Sequence, residues 1–214
     1  MKQPLINILT RTSNRPNYFK ECFNSVKTQT YKNINHIISV DNDETEEYVK
    51  QYTDNYIRVN PIDKNIIPNI NGRNIAPYEL YLNDLRKEVK DGWIMFLDDD
   101  DMLMINTSIQ KIVNNILNDD QMLIWRVKFP NRIIPEQIYF DKKQIVLNHF
   151  SMIGFMYHKK FDSYAKFDPY YGGDYFFAKQ LEKIIPEKTW IDGIYTGLQR
   201  TNAMGGFGKR DDKK

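Results

Sequence analysis

Residues 93–103 read WIMFLDDDDML, and this stretch decides the fold that we predict for the chain. Its first five residues are apolar, as expected for a strand that is buried on both faces. Four aspartates, Asp98 to Asp101, follow without a break. In a doubly wound α/β sheet, ligands bind just beyond the carboxyl ends of the strands. The four aspartates are therefore predicted to lie at a binding site.

Other apolar runs along the chain have the rhythm of βαβ units. Strands are predicted at residues 5–9, 34–40, 56–59 and 121–129, and a helix at 105–117. The strands are rich in β-branched residues, and polar, helix-compatible stretches separate them. The predicted fold class is α/β, a Rossmann-like, doubly wound, mostly parallel open sheet with helices on both faces.

The second half of the chain has a looser pattern. Residues 130–167 divide into short strand-like pieces with no clear helix, whereas residues 174–185 have the pattern of a helix. The glycine-rich residues 205–208 predict a mobile loop. We expect one domain over residues 1–214, because a chain of this length can bury a continuous core.

The composition is that of a folded soluble protein, with 41% hydrophobic and 27% charged residues. The formal net charge is only +2, too small to argue for a nucleic-acid-binding surface, and no nucleic-acid partner is predicted. Cys22 is the only cysteine, which rules out an intramolecular disulfide and a cysteine-based zinc site.

The first apolar stretch is too short for a secretory signal, and Asn7 and Arg11 interrupt it. No apolar run approaches the roughly 20 residues that a membrane-spanning helix needs. From the sequence we expect a cytoplasmic protein with no signal peptide and no membrane span.

The chemistry of the acidic stretch favours a divalent cation. Four adjacent carboxylates should repel one another, and a cation would relieve that repulsion. Residues two apart on an extended chain point the same way, so Asp98 and Asp100 should face one ligand while Asp99 points elsewhere. Carboxylate oxygens suit Mg²⁺ or Mn²⁺ shared with a diphosphate. The alternative is a solvated acidic turn that ends a strand.

Three motifs in order resemble those of GT-A glycosyltransferases, especially the family 2-like group. They are a first strand that ends in LTRTSNRP, a second strand that ends in SVDND, and FLDDDD, which is similar to a DxD motif at the end of a strand. The resemblance covers residues 4–105 well and the remainder loosely. It implies a GT-A fold and a nucleotide-sugar donor.

The resemblance also assigns residues to the donor site. Thr10 and Arg11 would approach the nucleotide, and Asp41 would hydrogen-bond the base or ribose. Asp98 and Asp100 would be the DxD pair that holds Mn²⁺ or Mg²⁺, with Asp98 and its neighbour Asp99 also at the donor. Taken singly, Thr10 and Asp41 equally suit a structural role at the ends of strands.

A further family stretch is similar to YLNDLRKEV, ahead of the DxD strand. Asn83 matches it and would contact the donor, but Leu82 stands where arginine is usual. Arg73, in the nearby NGRNIAP stretch, is the residue that we expect to supply the guanidinium group instead.

The acceptor side of the site is assigned from YYGGDYFFAKQL, which resembles the family's Glu-Asp pair before a helix. Gly173 replaces the usual glutamate. Asp174 would be the general base that takes the proton of the acceptor hydroxyl, so that a single displacement inverts the anomeric carbon. Aspartate is also a favoured helix N-cap, and the sequence leaves that structural role open.

The predicted function is metal-dependent, inverting transfer of a sugar, with a UDP-sugar as the expected donor and a glycan or glycoprotein as the acceptor. Residues 1–105 would form the nucleotide-sugar-binding half, residues 106–205 the acceptor-binding half and residues 206–214 a flexible tail. GxGxxG and GxxxxGK[ST] fingerprints are absent from the sequence. Two alternatives stay open: a metal-dependent phosphoesterase and a catalytically inactive nucleotide-sugar-binding module.

Overall fold

The computed structural model describes residues 3–70, residues 72–198 and Asp211. Strands and helices alternate through the first half of the chain. They are β1 (Ile6–Thr12), α1 (Pro16–Lys27), β2 (Ile34–Val40), α2 (Asp43–Lys50), β3 (Tyr56–Arg58), α3 (Leu80–Glu88) and β4 (Trp93–Phe96). A short 3-10 turn, Pro77–Glu79, leads directly into α3. The α/β class predicted from the sequence is confirmed.

The second half is built from shorter elements that complete the same sheet. They are β5 (Asp101–Leu103), α4 (Ser108–Val113), β6 (Gln121–Lys128), β7 (Ile133–Ile134), α5 (Gln137–Asp141), β8 (Phe155–His158), α6 (Gly173–Glu182) and β9 (Glu187–Leu198). The prediction of no helix in residues 130–167 is wrong, because α5 lies there. Five residues are too few for a helical period to show in a sequence.

The strands form one mixed sheet in the order β3-β2-β1-β4-β8-β6-β9-β5, and β7 pairs with β6. Neighbours from β3 to β4 are parallel, as are β6 and β9. Strand β8 enters antiparallel between β4 and β6, and β5 is antiparallel to β9. Six described strands therefore point one way, and the sheet is mostly parallel, as predicted.

Apolar side chains cover the sheet on both faces. Phe96 on one face of β4 packs among Phe155, Phe167 and Phe177, and the last two rings stack with centroids 4.0 Å apart. On the other face, Met95 belongs to a second buried cluster with residues of α4 and β6. Burial on both faces fixes β4 at the centre of the sheet and so holds the aspartates that follow it in place.

Within the described part of the chain, no helix combines the length and apolar character needed to cross a bilayer. The predicted mobile loop at 205–208 and the predicted tail at 206–214 lie outside the described residues, apart from Asp211. The Asp211 carboxylate accepts a hydrogen bond of 2.6 Å from the backbone N–H of Tyr18, near the start of α1.

Candidate active site

A cavity of about 990 Å³ opens at the carboxyl edge of the parallel strands. Both halves of the chain line it. The first half contributes Arg11, Arg15, Tyr78, Glu79, Asp98, Asp100 and Asp101, and the second half contributes residues within 129–134, 147–153 and 171–174, together with Leu198. Because β1 and β4 are parallel and Leu9 pairs with Phe96, the residues after each of these strands meet at the floor of the cavity.

Arg11 binds Asp98 at this floor. Its Nε and Nη2 atoms donate to the two carboxylate oxygens of Asp98, each at 2.8 Å. The guanidinium group also lies over the ring of Tyr78, 4.8 Å from the centroid. Burial works against the charge of Arg11, but Asp98 and Glu79 outweigh it and raise the pKa of the guanidinium group. Such a two-pronged contact fixes the orientation of the carboxylate.

Arg15 and Thr12 bind the next two aspartates. Thr12 donates to Oδ2 of Asp99 at 2.8 Å, and Nε of Arg15 donates to the same atom at 3.1 Å. Nη2 of Arg15 forms an ion pair with the other oxygen of Asp99, while Nη1 donates to Asp100 at 2.8 Å. Burial raises the pKa of Asp99 to about 7, although Arg15 lowers it.

These ion pairs are a feature that the sequence did not predict. We predicted mutual repulsion of the carboxylates, and Asp100 and Asp98 do raise the pKa of Asp99, while two buried guanidinium groups compensate part of the negative charge. Asp99 is fully buried and lies outside the lining of the cavity, so its predicted contact with the donor is not supported. Arg15 was missed; it lies three residues after the end of β1, immediately before α1, and its place in the loop after the first strand was the available signal.

Three aspartates that line the cavity can converge on a cation. Asp98, Asp100 and Asp101 each offer a carboxylate oxygen, and these oxygens lie within 4.8 Å of one another. Three anionic oxygen ligands fit Mn²⁺ or Mg²⁺, which prefer hard oxygen donors. Asp101 joins this group as the first residue of β5. The sequence assigned only Asp98 and Asp100 to the metal.

Asp174 lines the same cavity from the other side. It lies in the first turn of α6, and its carboxylate accepts a hydrogen bond of 2.7 Å from the N–H of Tyr175. Gly172, with φ of 83°, is the N-cap, so the alternative N-cap role of Asp174 is wrong. Burial raises the pKa of Asp174 to about 6. A carboxyl group with this pKa can accept a proton near neutral pH.

Glu79 is a buried carboxyl group near Asp174 that we did not predict from the sequence. Its residue exposure is 8%, and its Oε2 atom lies 3.7 Å from Nη1 of Arg11. Burial raises its pKa to about 8, and the charge of Asp174 adds to the shift. In the sequence, Glu79 stands in an amphipathic stretch where glutamate is typical of a solvated helix face.

Thr10 and Asn83 lie away from the cavity. The Thr10 hydroxyl donates to the carbonyl of Leu97 at 2.6 Å, and Thr10 is fully buried. The Asn83 side chain donates to the carbonyl of Phe167 and accepts from its N–H, both at 3.0 Å. Their hydrogen-bonding groups are used within the fold, and the predicted contacts of Thr10 and Asn83 with the donor stay predictions.

Arg73 and Asp41 also lie outside the lining of the cavity. The Arg73 guanidinium group lies over the rings of Tyr170 and Phe176, at 4.7 and 4.5 Å from their centroids. Asp41 follows β2 and accepts a hydrogen bond of 2.7 Å from the side chain of Asn42. Among the described residues, Arg11 and Arg15 contact the aspartates of residues 98–100, whereas Arg73 pairs with Asp168, and its predicted contact with the donor stays a prediction.

The family model of glycosyl transferase family 2 matches residues 8–162, which is more than half of the chain. The chain belongs to glycosyl transferase family 2. The resemblance read from the three motifs is confirmed. A comparison with curated proteins gave no match.

Solved structures with the same fold include two with bound nucleotide sugars. One is residues 1–349 of S. aureus TarS in complex with UDP-GlcNAc, with a TM-score of 0.69 and 15% identity over 93% of this chain. The other is the Pyrobaculum calidifontis mannosyltransferase PcManGT in complex with GDP-Man and Mn²⁺, with a TM-score of 0.68 and 10% identity over 96% of this chain. The family 2 chain described here spans 59% of each of those chains and 37% of a longer TarS structure.

Proposed function

We propose that this family 2 protein transfers a sugar from a UDP-sugar to a hydroxyl group of a glycan or glycoprotein acceptor. One observation carries the proposal. A convergent group of aspartates and a separate carboxyl group of raised pKa, Asp174, line one cavity at the carboxyl edge of the sheet. The likeness of the fold to structures that hold UDP-GlcNAc and GDP-Man supports a nucleotide-sugar donor.

The donor end would be formed by Asp98, Asp100 and Asp101, which together would hold Mn²⁺ or Mg²⁺. A divalent cation at this position supplies positive charge to the diphosphate, which becomes more negative as it departs. Arg11 and Arg15 already fix the carboxylates of Asp98 and Asp100 from behind, so these carboxylates would need little reorganisation when the donor binds. Arg11 and Arg15 therefore orient the groups that hold the diphosphate.

Asp174 would act at the acceptor end as the general base. It would take the proton of the acceptor hydroxyl while the oxygen forms a bond to the anomeric carbon of the sugar. The bond from that carbon to the nucleotide diphosphate breaks at the same time, and its electron pair leaves with the diphosphate. Because attack and departure occur on opposite faces, one displacement inverts the anomeric configuration.

A thermal-shift titration with UDP, GDP, UDP-GlcNAc and GDP-mannose, each with Mn²⁺ and with excess EDTA, tests the donor end. A ligand that binds only the folded state raises the melting temperature, so nucleotide should raise it only when the metal is present. Asp100→Ala should abolish that rise without unfolding the protein. Asp54→Ala, which removes an exposed carboxylate, is the matched control. Equal binding in EDTA would contradict the metal-bridged arrangement.

Release of nucleotide diphosphate from the same two donors then tests turnover. Slow transfer of the sugar to water, dependent on Mn²⁺, supports the proposal without knowledge of the acceptor. Release of phosphate from a simple phosphoester with no sugar donor present would favour a phosphoesterase. Tight metal-dependent binding with no turnover on any acceptor would favour an inactive nucleotide-sugar-binding module.

A further inference from the structure

Gly173, the first residue of α6, packs directly against the side chain of Glu79. A Cβ atom built on Gly173 would lie 3.1 Å from Cγ, 3.2 Å from Cδ and 3.3 Å from Oε2 of Glu79. The φ angle of Gly173 is outside the left-handed region, so backbone conformation does not require glycine here. Glycine fits position 173 because the carboxyl group of Glu79 occupies the space that a Cβ atom would need.

Backbone hydrogen bonds hold the two segments together. The N–H of Ala76 donates to the carbonyl of Pro169 at 2.7 Å, and the N–H of Tyr171 donates to the carbonyl of Asn74 at 2.8 Å. These bonds anchor the segment before Glu79 to the segment before Gly173. The backbones of the two segments are therefore held close together, and the side chain of Glu79 fills the space beside Gly173.

The other side of the Glu79 carboxyl group faces the donor end. Its Oε2 atom is buried and makes no hydrogen bond within the described part of the chain, yet it lies 3.7 Å from Nη1 of Arg11. Arg11 in turn holds Asp98. A buried carboxyl oxygen without a hydrogen bond costs about 1–3 kcal/mol, so a position with only a packing role would favour an apolar residue.

We propose that Glu79 is a positioning residue for sugar transfer. Its carboxyl group stands between Arg11 and the Gly172-Gly173 turn, and so sets the distance between the Asp98 carboxylate and Asp174. Glu79 does not itself accept the proton of the acceptor in this account. The inference rests on the proposed function, because that function assigns the donor to Asp98 and the base to Asp174.

An exchange of side chains between positions 79 and 173 tests this role. From a Cβ at position 173, two further bonds of about 1.5 Å reach about 2.5 Å, so a glutamate there can place its carboxyl carbon close to that of Glu79. The variants are Glu79→Ala, Gly173→Glu, the double exchange Glu79→Ala/Gly173→Glu, and Glu79→Gln. For each variant, melting temperature, donor KM and kcat for metal-dependent nucleotide release are measured.

We expect Glu79→Ala to lower kcat by about 10- to 100-fold with donor KM nearly unchanged, because misplacing a reacting group by about 1 Å can cost this much. Glu79→Gln should lower kcat less than Glu79→Ala does, because it keeps the volume of the side chain, and the raised pKa of Glu79, about 8, leaves the native carboxyl group mostly neutral near pH 7. Gly173→Glu alone should lower the melting temperature. The double exchange should recover both melting temperature and kcat.

Two results would overturn the inference. One is a Glu79→Ala variant with a lowered melting temperature but wild-type kcat, which would make the residue purely structural. The other is a double exchange whose melting-temperature change equals the sum of the single changes, which would show that the two positions do not share one space. A failure of the proposed function looks different, because the wild type itself would release no nucleotide from any donor.

Discussion

The two ends of the cavity use the same kind of side chain in opposite electrostatic settings. At the donor end, Asp98 and Asp100 line the cavity and each receives guanidinium N–H groups, from Arg11 and Arg15. At the other end, Asp174 accepts from the N–H of Tyr175, and burial is the largest influence on its pKa. Guanidinium groups compensate the negative charge of Asp98 and Asp100, whereas burial makes the charged form of Asp174 less favourable.

This difference matches what each end would have to do. Carboxylates that accept hydrogen bonds from guanidinium groups are held in a fixed orientation, which suits binding of a metal ion and a diphosphate. Burial instead raises the pKa of Asp174 to about 6 and that of Glu79 to about 8. A carboxyl group with a pKa near neutrality exchanges protons effectively at the pH of the cell. The environment, more than the residue type, therefore separates binding from proton transfer in this cavity.

Asp174→Asn is expected to have the largest effect on transfer. An amide occupies the same volume but cannot accept the acceptor's proton, so the rate of transfer should fall by about 10²–10⁴-fold. The melting temperature and metal-dependent donor binding should stay close to those of the wild type. Asp168→Asn is the matched control, because Asp168 is a carboxylate of the same region that pairs with Arg73 at 3.7 Å. Near-normal transfer by Asp174→Asn would remove Asp174 as the base.

Arg15→Ala tests the donor end through stability. It would leave the fully buried Asp99 without its guanidinium partner, and breaking a buried ion pair costs about 3–5 kcal/mol in the free energy of unfolding. Arg58→Ala removes an arginine that also contacts two carboxylates, Asp43 and Glu46, but on the surface, so it should cost far less. Urea denaturation of both variants measures the difference. Equal losses of unfolding free energy in the two variants would show that the buried ion pairs of Arg15 contribute no more to stability than the exposed ion pairs of Arg58.

The pH dependence of transfer is the smallest effect that we predict. Because the pKa of Asp174 is raised to about 6, Asp174 is protonated below that pH and cannot act as a base. The rate should therefore be nearly constant above pH 7 and fall about tenfold per pH unit below pH 6. Initial rates of transfer measured between pH 5 and pH 8 test this dependence. A rate that stays constant down to pH 5 would place the pKa of the base near its ordinary value.

The first half of the fold was the easier part to predict. Residues 34–40 were predicted as a strand, and β2 is Ile34–Val40. A strand of a parallel sheet is buried on both faces and leaves an apolar run that can be recognised without its neighbours. The short β8 and its antiparallel place between β4 and β6 depend on pairing between distant segments, and no local pattern encodes such pairing.

The residues that line the cavity differ in the same way. Asp98 and Asp174 lie within short sequence motifs, so both residues could be proposed from the sequence alone. The contacts of Arg15 depend on the register of β1 with β4, and the contact of Glu79 depends on the packing of residues 74–79 against residues 169–173. Asn83 matched the family motif, yet its amide is used to hold Phe167. A motif gives the residue type, whereas the tertiary contacts decide its role.

The difference between the two ends can be measured directly by NMR titration of ¹³C-labelled carboxyl carbons of aspartate and glutamate. Spectra of Asp174→Asn and Glu79→Gln would assign the two resonances of interest. The account predicts that Asp174 titrates at about 6 and Glu79 at about 8. Titration of both groups near their ordinary values of 3.8 and 4.5 would contradict it.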